Sequence, residues 1–195
     1  MIEGNGEVFG VGSNRDQPFW VATDVEKDST FIIYDFGRAF CQAKWESSAG
    51  ELPCPGRIGD RDGFVYLLET PELENRSENE PALWTHPEMV KNGWISGTYP
   101  RIRIKDTYRF AADIGCLADY RKCSVTFEVY YQVGNEDLKL LDKWNESYDG
   151  VITRVDVDLS FLAGESVRFV LAVRVHGGSP TEAAAFWLIP QIRLP

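Results

Sequence analysis

Along residues 167–175 the chain alternates without a break: Val167, Phe169, Leu171, Val173 and Val175 share one face, while Arg168, Val170, Ala172 and Arg174 share the other. A period of two predicts a β-strand with one face in a core. The same pattern sets Val125, Phe127, Val129 and Tyr131 against Ser124, Thr126, Glu128 and Tyr130, and Val155, Val157 and Leu159 against Asp156, Asp158 and Ser160. Shorter runs at 19–22, 30–34, 64–68, 99–105 and 185–194 read as further strands. Turn residues punctuate them at Asp62-Gly63, Gly134-Asn135, Asp149-Gly150, Ala163-Gly164 and Gly177-Gly178. About nine strands joined by loops, without a long helical period, predict an all-β sandwich or barrel. Phe36, Phe40 and Ala43 have helical spacing, but the segment is too short to decide between helix and loop. Residues 69–92, with six glutamates and three prolines around Leu83 and Trp84, read as an ordered excursion from the strand pattern.

Composition narrows the class. At 195 residues, 44% apolar and 13% aromatic, the chain has the length and apolar content of one large packed domain. Twenty basic against thirty acidic residues leave a net charge of −10, which argues against partners held mainly through phosphates, such as nucleic acid or an anionic membrane. No apolar run approaches the roughly 18 residues needed to span a bilayer, and the start of the chain lacks a signal-peptide pattern.

Cys41, Cys54, Cys116 and Cys123 fall as two close pairs. Four cysteines allow three connectivities; proximity favours 41–54 and 116–123, and paired cysteines imply an oxidising, extracellular or cell-surface location. The alternative is four unpaired buried thiols in a cytosolic protein. No C-x-x-C spacing points to zinc.

From Thr98 onward the order of features resembles the NPCBM-type modules of bacterial secreted proteins, within the galactose-binding-like jelly rolls. The matching text is Tyr108-Arg109-Phe110-Ala111-Ala112-Asp113-Ile114-Gly115-Cys116, Cys123-Ser124-Val125-Thr126-Phe127-Glu128-Val129, Val155-Asp156-Val157-Asp158-Leu159, the 167–175 strand, and Ala184-Ala185-Phe186-Trp187. The resemblance covers about half the chain. It implies a jelly-roll β-sandwich and non-catalytic carbohydrate binding in an exported bacterial protein or a piece of one. One departure stands out: the loop rich in asparagine and aspartate that usually precedes the closing tryptophan is replaced by Gly178-Ser179-Pro180-Thr181-Glu182.

Enzymatic motifs such as G-x-S-x-G, H-E-x-x-H and the P-loop are absent from the sequence, although a carboxylate pair for glycoside hydrolysis has no sequence signature to test. Tryptophans are the informative residues, because the apolar C–H faces of sugar rings stack on aromatic side chains while carboxylates, amides and guanidiniums bind the hydroxyls. Trp84, Trp94 and Trp144 fall in expected loops or strand ends, with Glu80, His86, Asn145, Glu146 and Tyr148 as polar companions; Trp20, Trp45 and Trp187 are assigned to packing. These eight residues form the expected glycan or polysaccharide site. Asp60-Arg61-Asp62-Gly63 places Asp60 and Asp62 before a glycine turn, a loop in which a structural calcium is expected. Arg101, Arg103 and Lys105 form a cationic stripe expected to neutralise nearby acids. An alternative reading is a structural or adhesive cell-surface subunit whose exposed aromatics and strand edges bind protein partners.

Overall fold

The computed structural model describes residues 31–195. The strand expected at 19–22 and the packing role expected of Trp20 lie outside these residues. Within them the chain forms twelve strands and three short 3-10 turns, and no helix is long and apolar enough to cross a membrane.

The strands are β1 (Ile32–Asp35), β2 (Lys44–Ser47), β3 (Gly50–Leu52), β4 (Phe64–Leu68), β5 (Ala82–His86), β6 (Trp94–Arg103), β7 (Arg109–Cys116), β8 (Ser124–Val133), β9 (Lys139–Ser147), β10 (Thr153–Asp158), β11 (Ser166–Val175) and β12 (Ala185–Arg193). They build two antiparallel sheets. The first runs β10-β7-β12-β5-β4, with β1 pairing the end of β12 beyond the stretch held by β5; the second runs β3-β2-β6-β11-β8-β9. From β6 to β12 every step except β8 to β9 crosses from one sheet to the other, which is the connectivity of a jelly-roll sandwich and not of a meander. Strands from both halves of the chain enter both sheets.

Where the pattern alternates it predicts a strand because one face of that strand is buried. Val167, Phe169, Leu171 and Val173 of β11 and Val125, Phe127 and Val129 of β8 point into the core, against Phe110 and Ile114 of β7 and Trp187 of β12. Aromatic rings interlock there edge to face, as their quadrupoles favour: Phe127 and Trp187 at 4.8 Å between centroids, and Phe36 and Tyr99 at 4.8 Å. Trp45 and Trp187 are core residues, as expected, at 1% and 0% exposure. Trp45 packs flat over Gly97, where a Cβ would lie 2.6 Å from the indole ring, so only glycine admits it.

Four strands lie outside both the alternating runs and the text that resembles NPCBM-type modules. β5 lies inside the expected excursion, and all five of its residues are buried, so it shows no alternation. Its Leu83 faces the main core, while Ala82 and Trp84 join Phe64, Leu73, Leu117, Phe186 and Leu188 in a second apolar cluster. Leu73 and Leu117, which bridge to each other, come from the loops on either side of this cluster. Glu74 ties this segment down: its carboxylate accepts from the backbone N–H of Cys116, Asp149 and Gly150 at 3.1, 2.9 and 2.8 Å. β2, β3 and β9 are the others; β9 is largely exposed and β2 and β3 are short. The helical spacing of Phe36, Phe40 and Ala43 resolves to a 3-10 turn at Phe40–Gln42. Arg101 of the cationic stripe bonds the Gly134 carbonyl and the Asn135 amide oxygen, so its partners are neutral groups and not the expected acids.

Both disulfides are those expected from proximity, Cys41–Cys54 and Cys116–Cys123, and no described cysteine is free. The first closes a 13-residue separation. Replacing Cys41 and Cys54 together by serine is expected to lower stability by about 3 kcal/mol, the loop-closure entropy returned to the unfolded chain, measured by urea denaturation.

Candidate functional site

Opposed residues in an antiparallel ladder project on the same face, so the inward set on β11, β8 and β6 dictates what the second sheet presents outward. The ladder sets Asn145, Thr126, Arg174 and Trp94 in one row across β9, β8, β11 and β6. The next row holds Lys143, Glu128, Ala172 and Ser96, continued by Glu46 on β2; the third holds Leu140, Tyr130, Val170 and Thr98, continued by Lys44. The middle of this face is floored by small apolar residues: Ala172 and Val170 are only 8% and 7% exposed although they point away from the core. Around them stand aromatic, acidic, basic and amide side chains.

Several of these groups are held in place. The Glu128 side chain is 14% exposed; Tyr130 donates its hydroxyl to Oε2 at 3.0 Å, and Arg174 Nη2 lies 3.9 Å from the same oxygen. Burial, together with the Glu128 carboxylate, raises the Tyr130 pKa, so the phenol stays a donor through the physiological range. Thr126 donates to Asn145 Oδ1 at 2.7 Å, which leaves the Asn145 NH2 aimed elsewhere. Trp94 opens β6 after a tight turn that passes through Asn92 (φ 59°) and Gly93, where a Cβ would sit 2.0 Å from the Glu88 carbonyl oxygen. The indole is half-buried at one corner of the face, and Tyr130 lies two strands away and four residues along. From strand spacing and rise, that is about 10 Å by about 13 Å. A single sugar ring does not reach both aromatics, whereas an oligosaccharide does.

Of the eight expected site residues, the structure brings only Trp94 and Asn145 to this face. Trp84 is not in a loop: it sits within β5 at 7% exposure, with its indole against Phe64 at 4.9 Å and Tyr120 at 5.8 Å between centroids. The covering second cluster is what removes it from solvent. Trp144 and Glu146 lie in β9 facing the other way, across from Phe127 and Val125; Trp144 packs on the main core and Glu146 is 8% exposed. Burial raises the Glu146 pKa, the Thr153 hydroxyl pulls it partly back, and the Asp149 and Glu74 carboxylates raise it further. Tyr148 packs partly buried against the core, its N–H bonded to the Cys123 carbonyl. Glu80 lines a separate cavity of about 310 Å³ beside Asp35, Arg38 and Pro190.

Sequence reasoning assigned no role to Glu128, Tyr130, Thr126, Ser96 and Arg174. The readable signal was a polar face on β8 that carries a tyrosine two residues from a glutamate.

Asp60 and Asp62 occupy an exposed turn in which Asp60 Oδ1 accepts from the Asp62 N–H at 3.1 Å. Among the described residues no group of three or more His, Cys, Asp or Glu is arranged to hold a metal ion.

His86 is 1% exposed, stacked on Phe64 at 5.1 Å, with Nδ1 2.8 Å from the Pro87 carbonyl oxygen. Nε2 faces the Thr181 backbone without a well-formed hydrogen bond. Burial holds the His86 pKa below its ordinary value of 6.5, against the opposing pull of the Pro87 and Thr181 backbone contacts. The unfolded chain therefore takes up the proton first, and the contribution of His86 to stability is complete above pH 6.5 and falls as pH drops through 6.5 toward the lowered folded value. Denaturant titrations between about pH 7 and pH 5 are expected to show a flatter acid loss for His86→Phe than for the parent protein.

No family model and no curated protein matches the chain. Solved structures with a similar arrangement of strands include several carbohydrate-binding modules and a glycoside hydrolase domain, Endo-D of Streptococcus pneumoniae. One is the second CBM51 module with INT domains of Clostridium perfringens ZmpB, in complex with GlcNAc: 18% identity, 64% of this chain, 24% of that chain, TM-score 0.45. This chain thus spans about a quarter of that protein. Another is the CBM51 of Clostridium perfringens GH95 in complex with methyl-galactose, at 17% identity over 67% of this chain and 89% of that one, TM-score 0.46. A third is the C-terminal family 22 module of Clostridium thermocellum Xyn10B, at 12% identity over 86% and 96%, TM-score 0.48.

Proposed function

We propose that the protein is a non-catalytic carbohydrate-binding module that receives a glycan chain across the outer face of the β3-β2-β6-β11-β8-β9 sheet. The observation that carries this reading is the array itself: a shallow floor at Ala172 and Val170, aromatic platforms at Trp94 and Tyr130, and fixed hydrogen-bonding groups at Glu128, Arg174 and Thr126 on the strands that span them, with Asn145 beyond on β9. Rings of the chain would stack on the two aromatics, while the carboxylate, guanidinium and amide bind hydroxyls. The resemblance of residues 98–195 to NPCBM-type modules supports the same class. Two disulfides fit an exported protein, since such bonds persist in oxidising compartments.

An adhesive, protein-binding role is the second reading. It is favoured by Phe161 and Leu140, which are 60% and 45% exposed; Leu140 lies on β9, an edge strand. Phe161 meets Tyr131 at 5.6 Å between centroids.

A glycan and polysaccharide array separates the two. Saturable binding that weakens more than tenfold in Trp94→Ala, with an unchanged circular dichroism spectrum, is the expected result. Trp84→Ala instead is expected to cost about 3–5 kcal/mol of stability. A blank array with folded protein overturns the glycan reading, and concentration-dependent self-association or partner capture through Phe161 then supports the second.

A further inference from the structure

A different site lies on the first sheet, at a distortion in β12. Ile189 has φ +48°, in the left-handed region where a β-branched side chain is costly, so its surroundings must hold it there. The cause is a bulge. Leu188 opposes Asp113 and Gln191 opposes Ala111, so Ile189 and Pro190 together face the single residue Ala112 of β7. The Pro190 carbonyl accepts from the Phe36 N–H at 2.9 Å, which anchors the distorted stretch.

The bulge opens a cavity of about 120 Å³ between β10, β7 and β12, floored by Ala111 and lined by Asp113, Arg154, Gln191 and Arg193. Its polar groups are unevenly satisfied. Arg193 Nη2 is 3.1 Å from Asp156 Oδ2, Arg109 bonds the same carboxylate, and Asp113 lies 3.7 Å from Arg76. Arg154 makes no ion pair among the described residues, and the buried Gln191 Oε1 accepts no hydrogen bond. Buried acceptors are nearly always paired, so an acceptor unpaired among the described residues, across the cavity from an exposed guanidinium without an ion-pair partner among them, points to a complementary ligand. The ligand brings a hydroxyl donor for Gln191 and an anion for Arg154.

Size limits it further. The cavity is smaller than the roughly 150 Å³ that admits benzene and well below the roughly 300 Å³ of ordinary ligand pockets, so it takes one ring edge and not a chain. Among the described residues no aromatic side chain lines it, so stacking carries no part of the recognition. We infer that this cavity binds a single hydroxy-carboxylate of the uronic acid class, its carboxylate on Arg154 and a ring hydroxyl donating to Gln191. The site is independent of the aromatic face on the other sheet.

The test is a titration of the full chain with sodium galacturonate, followed by amide chemical shifts, with galactose and sodium acetate as controls. Saturable millimolar shifts confined to β7, β10 and β12, at least tenfold weaker for both controls, are expected. Arg154 is exposed, so Arg154→Ala should keep its Tm and lose binding about tenfold or more, the effect of one charge-assisted hydrogen bond. Trp94→Ala, which removes the platform of the other face, should bind galacturonate unchanged; a loss there would move the site to the aromatic face and overturn the inference. Absence of shifts, equal binding of acetate, or full affinity in Arg154→Ala also overturns it.

Discussion

The contact between Trp187 of β12 and Phe127 of β8, edge to face across the two sheets, is the constraint on which the remaining surfaces depend. Phe110, Phe36, Phe169 and Tyr99 extend that seam between the layers. Because side chains alternate along a strand, fixing Phe127 inward sends Thr126, Glu128 and Tyr130 outward, and fixing Trp187 inward sends Phe186 and Leu188 outward. A slip of one residue in either strand would exchange core and surface. The aromatic seam therefore determines the register of the core and, with it, the composition of each outer face.

The two outer faces have been put to different uses. On the first sheet the outward Phe64, Trp84, Phe186 and Leu188 are themselves apolar, and are buried as a second cluster with Leu73 and Leu117. Glu74 makes that cover possible, since one carboxylate satisfies three backbone donors from β7 and from the turn after β9. On the second sheet the outward residues remain open, with aromatic and charged groups around a floor of alanine and valine. Cover on one sheet and access on the other follow from which outward positions are apolar.

Where the cover on the first sheet stops, beyond Leu188, the character changes again. The guanidiniums of Arg109 and Arg193 share Asp156, and the bulge at Ile189 and Pro190 interrupts the ladder with β7. A proline cannot donate to a ladder and an isoleucine gains nothing from the left-handed region, so this stretch is held by its neighbours and not by its own preferences.

Residue order alone located the alternating strands: β4 coincides with the expected run at 64–68, and β8, β10, β11 and β12 differ from their expected bounds by one or two residues, whereas β6 begins five residues before its expected run at 99–105. It also determined the two disulfide partners, because cysteines close in sequence reach each other without a fold. Tertiary structure decided what happens to strands without an alternating pattern. β5 is buried on both sides, and only packing shows that Trp84 and His86 are interior; β9 turns Trp144 and Glu146 inward although its neighbours in sequence are polar. The candidate face was divided between the two. Alternation marks Thr126, Glu128 and Tyr130 as outward, but placing Trp94, Arg174 and Asn145 beside them requires the order of β6, β11, β8 and β9, whose pairings join residues up to about eighty positions apart. Local period is a property of a few successive residues, whereas neighbourhood across a sheet is a property of the whole chain.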